Sequence, residues 1–191
     1  MCNLMWDGQL VTIRQVKEDT DPAAGDILFT EHEHVSHLRH AHLLLLLGVS
    51  LSESLENVRL VYERVHLGSL YTVLHTRRWE PHPLRTDTIP QLLLQVCDAV
   101  IYLHSRGYIH RSLTSHAVQL VSPTVAKLSN LEYLQERAED GRWSGGPGLP
   151  IPHQLYNWLP PEVIRNQRAT PSSDLYSFCT VLQEALTGRE T

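Results

Sequence analysis

The residues best placed by type to do chemistry lie in YIHRSLTSHAVQL, residues 108–120, where His110, Arg111 and Ser112 are adjacent. Serine is neutral near pH 7 and, with no base beside it, accepts a proton poorly; a positioned carboxylate would contribute about 10²- to 10⁴-fold as a general base. Ala117 in the same stretch has no side-chain oxygen to offer a metal. Polar and charged groups that could complete a site are Arg14 and Glu31, seventeen residues apart, and the pair Asn130 and Glu132. A second grouping is HEHVSHLRHAH, with five histidines between residues 32 and 42. His34, His37 and His40 recur every third residue, so two could share a helix face and meet a metal. The His-Glu-x-x-His order is missing, and solvated polar residues on a helix are the expected reading.

These residues need elements to position them. Strand-like runs occur at LVTIRQV (10–16), LLLLLGV (43–49) and VRLVYERV (58–65), with one helix-like segment at 26–39 between the first two. The leucine run is too short to cross a bilayer and reads as a fully buried core strand. From Pro90 to Ser105, residues Leu92, Leu93, Val96, Ala99, Val100 and Leu103 share one helix face, with Asp87 or Thr88 as N-cap and Gly107 beyond the end. Two short strands, AVQLV and VAKL, follow. A Gly- and Pro-rich stretch at about 135–160 then reads as a functional or disordered loop. Its segment GRWSGGPGLPIPHQL, with Trp143, is a possible partner-binding loop. The last helix, SSDLYSFCTVLQEALTG, is expected to bury Leu175, Phe178, Leu182 and Leu186 and to stop at Gly188.

Composition narrows the classes. The 191 residues are 42% hydrophobic, enough for one substantial domain or a small two-lobed unit. A net charge of −5, with no basic run interleaved with aromatics, argues against nucleic acid or an anionic membrane as partner. Cys2, Cys97 and Cys179 are odd in number and far apart, which suits reduced thiols in the cytoplasm. The N-terminus lacks a charged segment followed by an apolar one, so secretion is not expected.

In their order along the chain these segments resemble the protein kinase superfamily. VTIR resembles the Val-Ala-Ile-Lys strand, Glu31 the helix C glutamate, LVYERVHLGSL the hinge, and YLHSRGYIHRSL the helix and His-Arg-Asp loop. KLSNLE resembles the Asp-Phe-Gly segment, YNWLPPE the Ala-Pro-Glu segment, and SSDLYSF the start of the buried helix F. The implied fold is α+β and two-lobed, over residues 8–191. A small sheet lobe with one helix would span about 8–66 and lack its first hairpin, and a mainly helical lobe, 67–191, would stop after helix F. The resemblance implies structural roles for His110, Arg111, Leu131, Glu162 and Asp174, with Val35 and Leu46 joining His110 and Leu131 in a stacked spine. Glu162 would lack its usual arginine partner. Arg111 is expected to be a structural arginine, the alternative being an anchor for a phosphorylated Ser144.

At the catalytic positions the chain departs from the pattern. Arg14 stands for the lysine, Ser112 for the loop Asp, Ala117 for the magnesium-binding Asn, Asn130 for the Asp of Asp-Phe-Gly and Glu132 for its glycine. Asn130 lacks the charge that holds magnesium, and a planar guanidinium does not superpose on an ammonium. An Arg14–Glu31 salt bridge is expected to fix helix C. The vestigial nucleotide pocket would be Thr12, Arg14, Glu31, Tyr62, Glu63, Val65, Gln119 and Asn130, with Thr12 and Gln119 polar where an alanine and a leucine would sandwich adenine. The resemblance therefore implies no required cofactor, with ATP an open alternative and magnesium not expected.

HRSL, LSNLEYL, LYNWLPPEVI and SDLYSF together most resemble the inactive testis-expressed kinase-like proteins of germ-cell intercellular bridges. That implies an inactive scaffold binding other proteins, in the cytoplasm and at the midbody, intercellular bridge or kinetochore. The enzyme alternative is an atypical kinase that binds ATP weakly and transfers phosphate slowly, with Glu132 as the replacement carboxylate. A third reading is a fragment with no stable function.

Overall fold

The structure is a computed structural model that describes residues 1–15, 23–51, 58–77, 84–85, 87–136 and 149–189. Its first sheet has four antiparallel strands in the order β1-β2-β4-β3: β1 Cys2–Trp6, β2 Gln9–Gln15, β3 Leu46–Leu51 and β4 Val58–Tyr62. Helix α1, Ala23–His37, connects β2 to β3 and packs on β4. One strand, β1, precedes the Arg14 strand and pairs with it in the β1–β2 hairpin, so no complete hairpin stands ahead of the Arg14 strand, as expected. The turn is Asp7-Gly8, with φ of 47° and 76°. Positive φ at both turn residues is what a type I′ hairpin requires, and Asp-Gly supplies it at low cost.

The leucine run differs from a fully buried strand. Leu43 and Leu44 are buried, but β3 starts only at Leu46, and Leu45, Leu47, Val49 and Leu51 are exposed. β3 is a sheet edge, where one flank has no neighbouring strand to cover it. Leu44 N–H donates to the Leu128 carbonyl at 2.9 Å and Leu128 N–H to the His42 carbonyl at 2.8 Å, so this segment joins the first sheet to the second half of the chain.

Helix α2, Ile89–Ser105, buries Ile89 together with the six expected residues, and Gly107 follows at φ 84°. Thr88 is its N-cap residue but makes no side-chain cap bond. Against α2 packs a three-stranded sheet, β5-β7-β8, of Gly68–Ser69, Val118–Ser122 and Val125–Leu128. β6, Tyr108–Ile109, pairs with β9, Gln135–Glu136. A one-turn helix α3, Pro161–Ile164, precedes α4, Pro171–Thr187. Thr170 and Ser173 form a capping box at the start of α4, and Gly188 at φ 64° ends it.

The buried face of α4 is the expected one only in part, with Phe178 and Leu182 packed against the core. Leu175 and Leu186 are 60% and 56% exposed, while Ser173, Asp174, Ser177, Val181, Glu184 and Ala185 are buried. Polar residues face inward because each finds a partner, which offsets the cost of desolvation. Glu184 accepts from Trp158 Nε1 at 2.6 Å and Ser115 Oγ at 3.0 Å, and His75 Nε2 lies 2.8 Å away.

Candidate functional site

Three segments converge on one cation. β2 carries Arg14, α1 carries Glu31, and a 3-10 turn, Leu131–Tyr133, carries Glu132. Asn130 enters that turn in the left-handed region, φ 64° and ψ 44°, a conformation asparagine tolerates better than most residues. Arg14 Nη1 donates to Glu31 Oε2 at 2.5 Å and to Glu132 Oε2 at 2.9 Å, while Nη2 donates to Glu132 Oε1 at 2.5 Å. The expected Arg14–Glu31 bridge is present, and Glu132 completes it as a two-pronged acceptor, the geometry a planar guanidinium favours. His34 adds a second tie between α1 and the turn, its Nδ1–H donating to the Leu131 carbonyl at 2.7 Å. His34 is thus a packing residue rather than a solvated one, and His40 stacks on Tyr102 with ring centroids 4.8 Å apart.

One cation between two buried acids leaves an excess of negative charge. Burial opposes the charge on Arg14, but Glu31 and Glu132 overcome it and hold the guanidinium firmly protonated. Burial pushes the Glu31 carboxyl up to about 7, with Arg14 pulling it down and Glu132 pushing it further up. Tyr62, buried beside Glu31, has its hydroxyl raised first by burial and then by that carboxylate, so it stays a phenol. Among the described residues the Tyr62 oxygen has no partner in good hydrogen-bond geometry.

A pH dependence follows. Unfolded Glu31 ionises near 4.5 and folded Glu31 near 7, so the folded state binds more protons between these values and stability falls as pH rises through that window. Glu31→Gln removes this contribution. The stability of wild type relative to the variant should drop by about 3 kcal/mol between pH 4.5 and pH 7.5, read from urea unfolding at both pH values. A constant difference across that range would contradict the raised carboxyl.

The loop around Ser112 is held as structure. Asp174 on α4 accepts backbone N–H bonds from His110 at 2.8 Å and Arg111 at 2.9 Å, with His104 Nε2 at 2.8 Å. Arg111 sits at φ 66°, its Nη2 donating to Asn166 Oδ1 at 2.8 Å and Nη1 to the Tyr133 carbonyl at 3.3 Å. These are the bonds of a structural arginine; Ser144 and Trp143 lie outside the described residues. His110 donates through Nε2 to the Ser129 carbonyl at 2.9 Å, which leaves Nδ1 as an acceptor, and burial lowers its proton affinity. Ser112 Oγ is 3.3 Å from that Nδ1, so a base does stand beside the serine, contrary to expectation. Both residues are 0% exposed, which denies the pair a substrate, and Oγ also reaches the Asn130 carbonyl at 3.2 Å. Glu162 accepts from Ser173 Oγ at 2.8 Å. Val35 and Leu131 are buried in the main core, and Leu46 packs against it.

Beside the Arg14 cluster lies a cavity of about 350 Å³. Of the vestigial pocket residues, Thr12, Arg14, Val65, Gln119 and Asn130 line it. Glu31 and Tyr62 are buried in the cluster with Arg14 and do not line it. The Glu63 carboxylate is engaged with Lys127 Nζ at 2.7 Å and Leu45 N–H at 2.8 Å, and it too is not in the lining. Asn3, Ser69, Thr72 and His116 also line the cavity and were not anticipated. Gln119 forms a polar floor, its Nε2 donating to the His116 carbonyl at 2.8 Å and to Ser129 Oγ at 3.2 Å. Ala117 is buried and contributes no side-chain ligand. The residues present do not fit magnesium: the one acid brought to the metal position, Glu132, has both oxygens on Arg14. Among the described residues no group of three or more His, Cys, Asp or Glu side chains is placed to hold a metal ion.

A sheet lobe joined to a helical lobe, a helix glutamate bonded to a strand cation, and a loop anchored by a helix aspartate define a protein kinase fold with its reacting groups replaced. A profile of the protein tyrosine and serine/threonine kinase family matches residues 5–191, and the chain belongs to that family. It is 49% identical over 192 residues to the inactive serine/threonine-protein kinase TEX14 of Mus musculus, covering 98% of this chain and 13% of the relative. The TEX14 of Bos taurus gives the same identity and coverage. The non-receptor tyrosine-protein kinase TNK1 of Homo sapiens is 32% identical over 167 residues, 87% of this chain and 24% of the relative. The chain therefore spans about an eighth of the length of the TEX14 proteins it matches. Among the described residues no helix is long and apolar enough to cross a membrane.

Proposed function

We propose that this is an inactive protein-kinase-like domain that acts as a protein-binding scaffold. The observation that carries the reading is the closed Arg14–Glu31–Glu132 cluster, in which the cation and the acid that a nucleotide and its metal would need are spent on each other. The cluster fixes α1 against the sheet from within, the tie that active kinases make with a strand lysine and the helix C glutamate. Kinship with proteins named inactive kinases supports the same reading. In this proposal the partners are other proteins, nucleic acid and membrane insertion play no part, and neither ATP nor magnesium is required. The sequence resemblance extends it to germ-cell intercellular bridge maintenance, cytokinesis control or kinetochore attachment in the cytoplasm. The bond of Glu132 to Arg14 favours this reading over the slow-kinase alternative, in which Glu132 would be the replacement carboxylate.

Thermal unfolding in the presence of ATP tests the first part. The midpoint should stay constant up to millimolar ATP with or without magnesium or manganese, whereas a saturable, metal-dependent rise would contradict it. Tagged chain followed through division tests the second. Concentration at the midbody or kinetochore is expected, and a uniform distribution through telophase would count against the role.

A further inference from the structure

The cavity has a hydrogen-bonding edge, and the chain itself occupies it. Val65 lines the cavity just after β4, and its backbone offers one N–H and one carbonyl. Such a donor–acceptor pair is what a purine reads with a ring nitrogen beside an exocyclic amine. In this structure both groups are taken. Val65 N–H donates to Thr12 Oγ1 at 2.8 Å, Thr12 Oγ1–H donates to Asn3 Oδ1 at 2.6 Å, and Asn3 Nδ2–H donates to the Val65 carbonyl at 3.1 Å. The directions close without conflict, since the threonine hydroxyl accepts once and donates once, and the carboxamide uses one oxygen and one nitrogen.

The hairpin makes this ring possible. Asn3 and Thr12 are direct cross-strand partners on β1 and β2, and Thr12 is in turn opposite Tyr62 on β4, so the register sets all three in line across the sheet. Thr12 is buried and Asn3 exposed, so one member of the ring is held by packing and the other meets solvent. Resting on the reading of this site as an inactive kinase-like pocket, we infer that Asn3 and Thr12 are an internal occupant of the cavity's recognition edge, a carboxamide–hydroxyl clasp that shuts out purine nucleosides. The cluster at Arg14 is a separate obstacle directed at phosphates and metal. The clasp acts on the base and is independent of charge.

Adenosine is the probe, because it carries no phosphate and needs no metal. In wild type the Val65 amide should be protected from hydrogen exchange at pH 7, and calorimetric titration with adenosine should give no saturation up to millimolar concentration. In Asn3→Ala/Thr12→Ala that protection should fall, and adenosine should bind about tenfold or more tightly than to wild type. Asn3→Ala alone, an exposed change that leaves the buried sheet intact, should give a smaller gain in the same direction. Rapid exchange at Val65 in wild type, adenosine binding equally well to wild type and the variants, or no gain in a double variant that still unfolds cooperatively, would each overturn the clasp. Phosphate transfer by any of these proteins would overturn the inactive reading and leave the clasp standing.

Discussion

Arg14→Met should destabilise the protein by about 3–5 kcal/mol at pH 8, because it leaves two buried carboxylates facing each other with no cation between them. Glu31 and Glu132 are almost fully buried, and both reach Arg14 at 2.5 Å, so neither can turn to water for relief. At pH 5 the loss should shrink, since a raised carboxyl takes up its proton before that point and the repulsion disappears. Replacing the whole cluster, Arg14→Met with Glu31→Gln and Glu132→Leu, should return stability to within about 2 kcal/mol of wild type, as uncharged side chains of similar bulk avoid the much larger cost of desolvating charge. Urea midpoints at both pH values decide the matter, provided the slope is unchanged. A single variant as stable at pH 8 as wild type would mean that the cluster is surface-like and cannot hold α1.

The second large effect is expected at Asp174→Ala. The aspartate accepts from two consecutive backbone amides, at His110 and Arg111, and from the His104 ring. Bonds to a charged acceptor contribute about 1.5–3 kcal/mol each, and two orphaned buried amides add their desolvation, so a loss of about 3–5 kcal/mol is expected. For a chain of this length that corresponds to a fall in melting temperature of about 10 °C or more. Asp174→Asn keeps one acceptor oxygen and should lose about half as much. Amide exchange at His110 and Arg111 locates the damage: it should accelerate at these two positions well before the α2 amides respond. Melting unchanged to within about 1 °C would show that the left-handed geometry at Arg111 needs no anchor from α4.

These effects fall where the sequence was partly readable. Helix α2 was legible almost to the residue, because its apolar positions repeat at the helical period and all six expected residues are buried. Helix α4 was legible as a helix but only half as a face, since Phe178 and Leu182 pack on the core and Leu175 and Leu186 do not. Period-based reading assumes that the apolar side is the inner one, whereas here Asp174 and Glu184 point inward and are satisfied by partners distant along the chain. β1 escaped notice because CNLMW is exposed along its whole length and has no alternation, although Asp7-Gly8 between two strand-forming segments was a usable hairpin signal.

The site divides in the same way. The Arg14–Glu31 bond follows from a spacing of seventeen residues typical of the fold. The Arg14–Glu132 bond spans 118 residues; the replacement of a glycine by an acid was readable, but it pointed to a replacement carboxylate for a metal rather than to a partner for Arg14. Asn3 became visible only through the register of β1 on β2. Local pattern reports which residues share an element. Which acid a cation selects is decided by the packing of elements far apart in the chain.

The central claim is that the fold is kept without phosphotransfer chemistry, and transfer of labelled γ-phosphate from ATP tests it most directly. With magnesium or manganese present, incorporation into the chain itself or into generic protein substrates should not rise above a no-protein control over several hours. Transfer above that control which Glu132→Ala abolishes would contradict the account, because it would make Glu132 a metal ligand rather than the second anchor of Arg14.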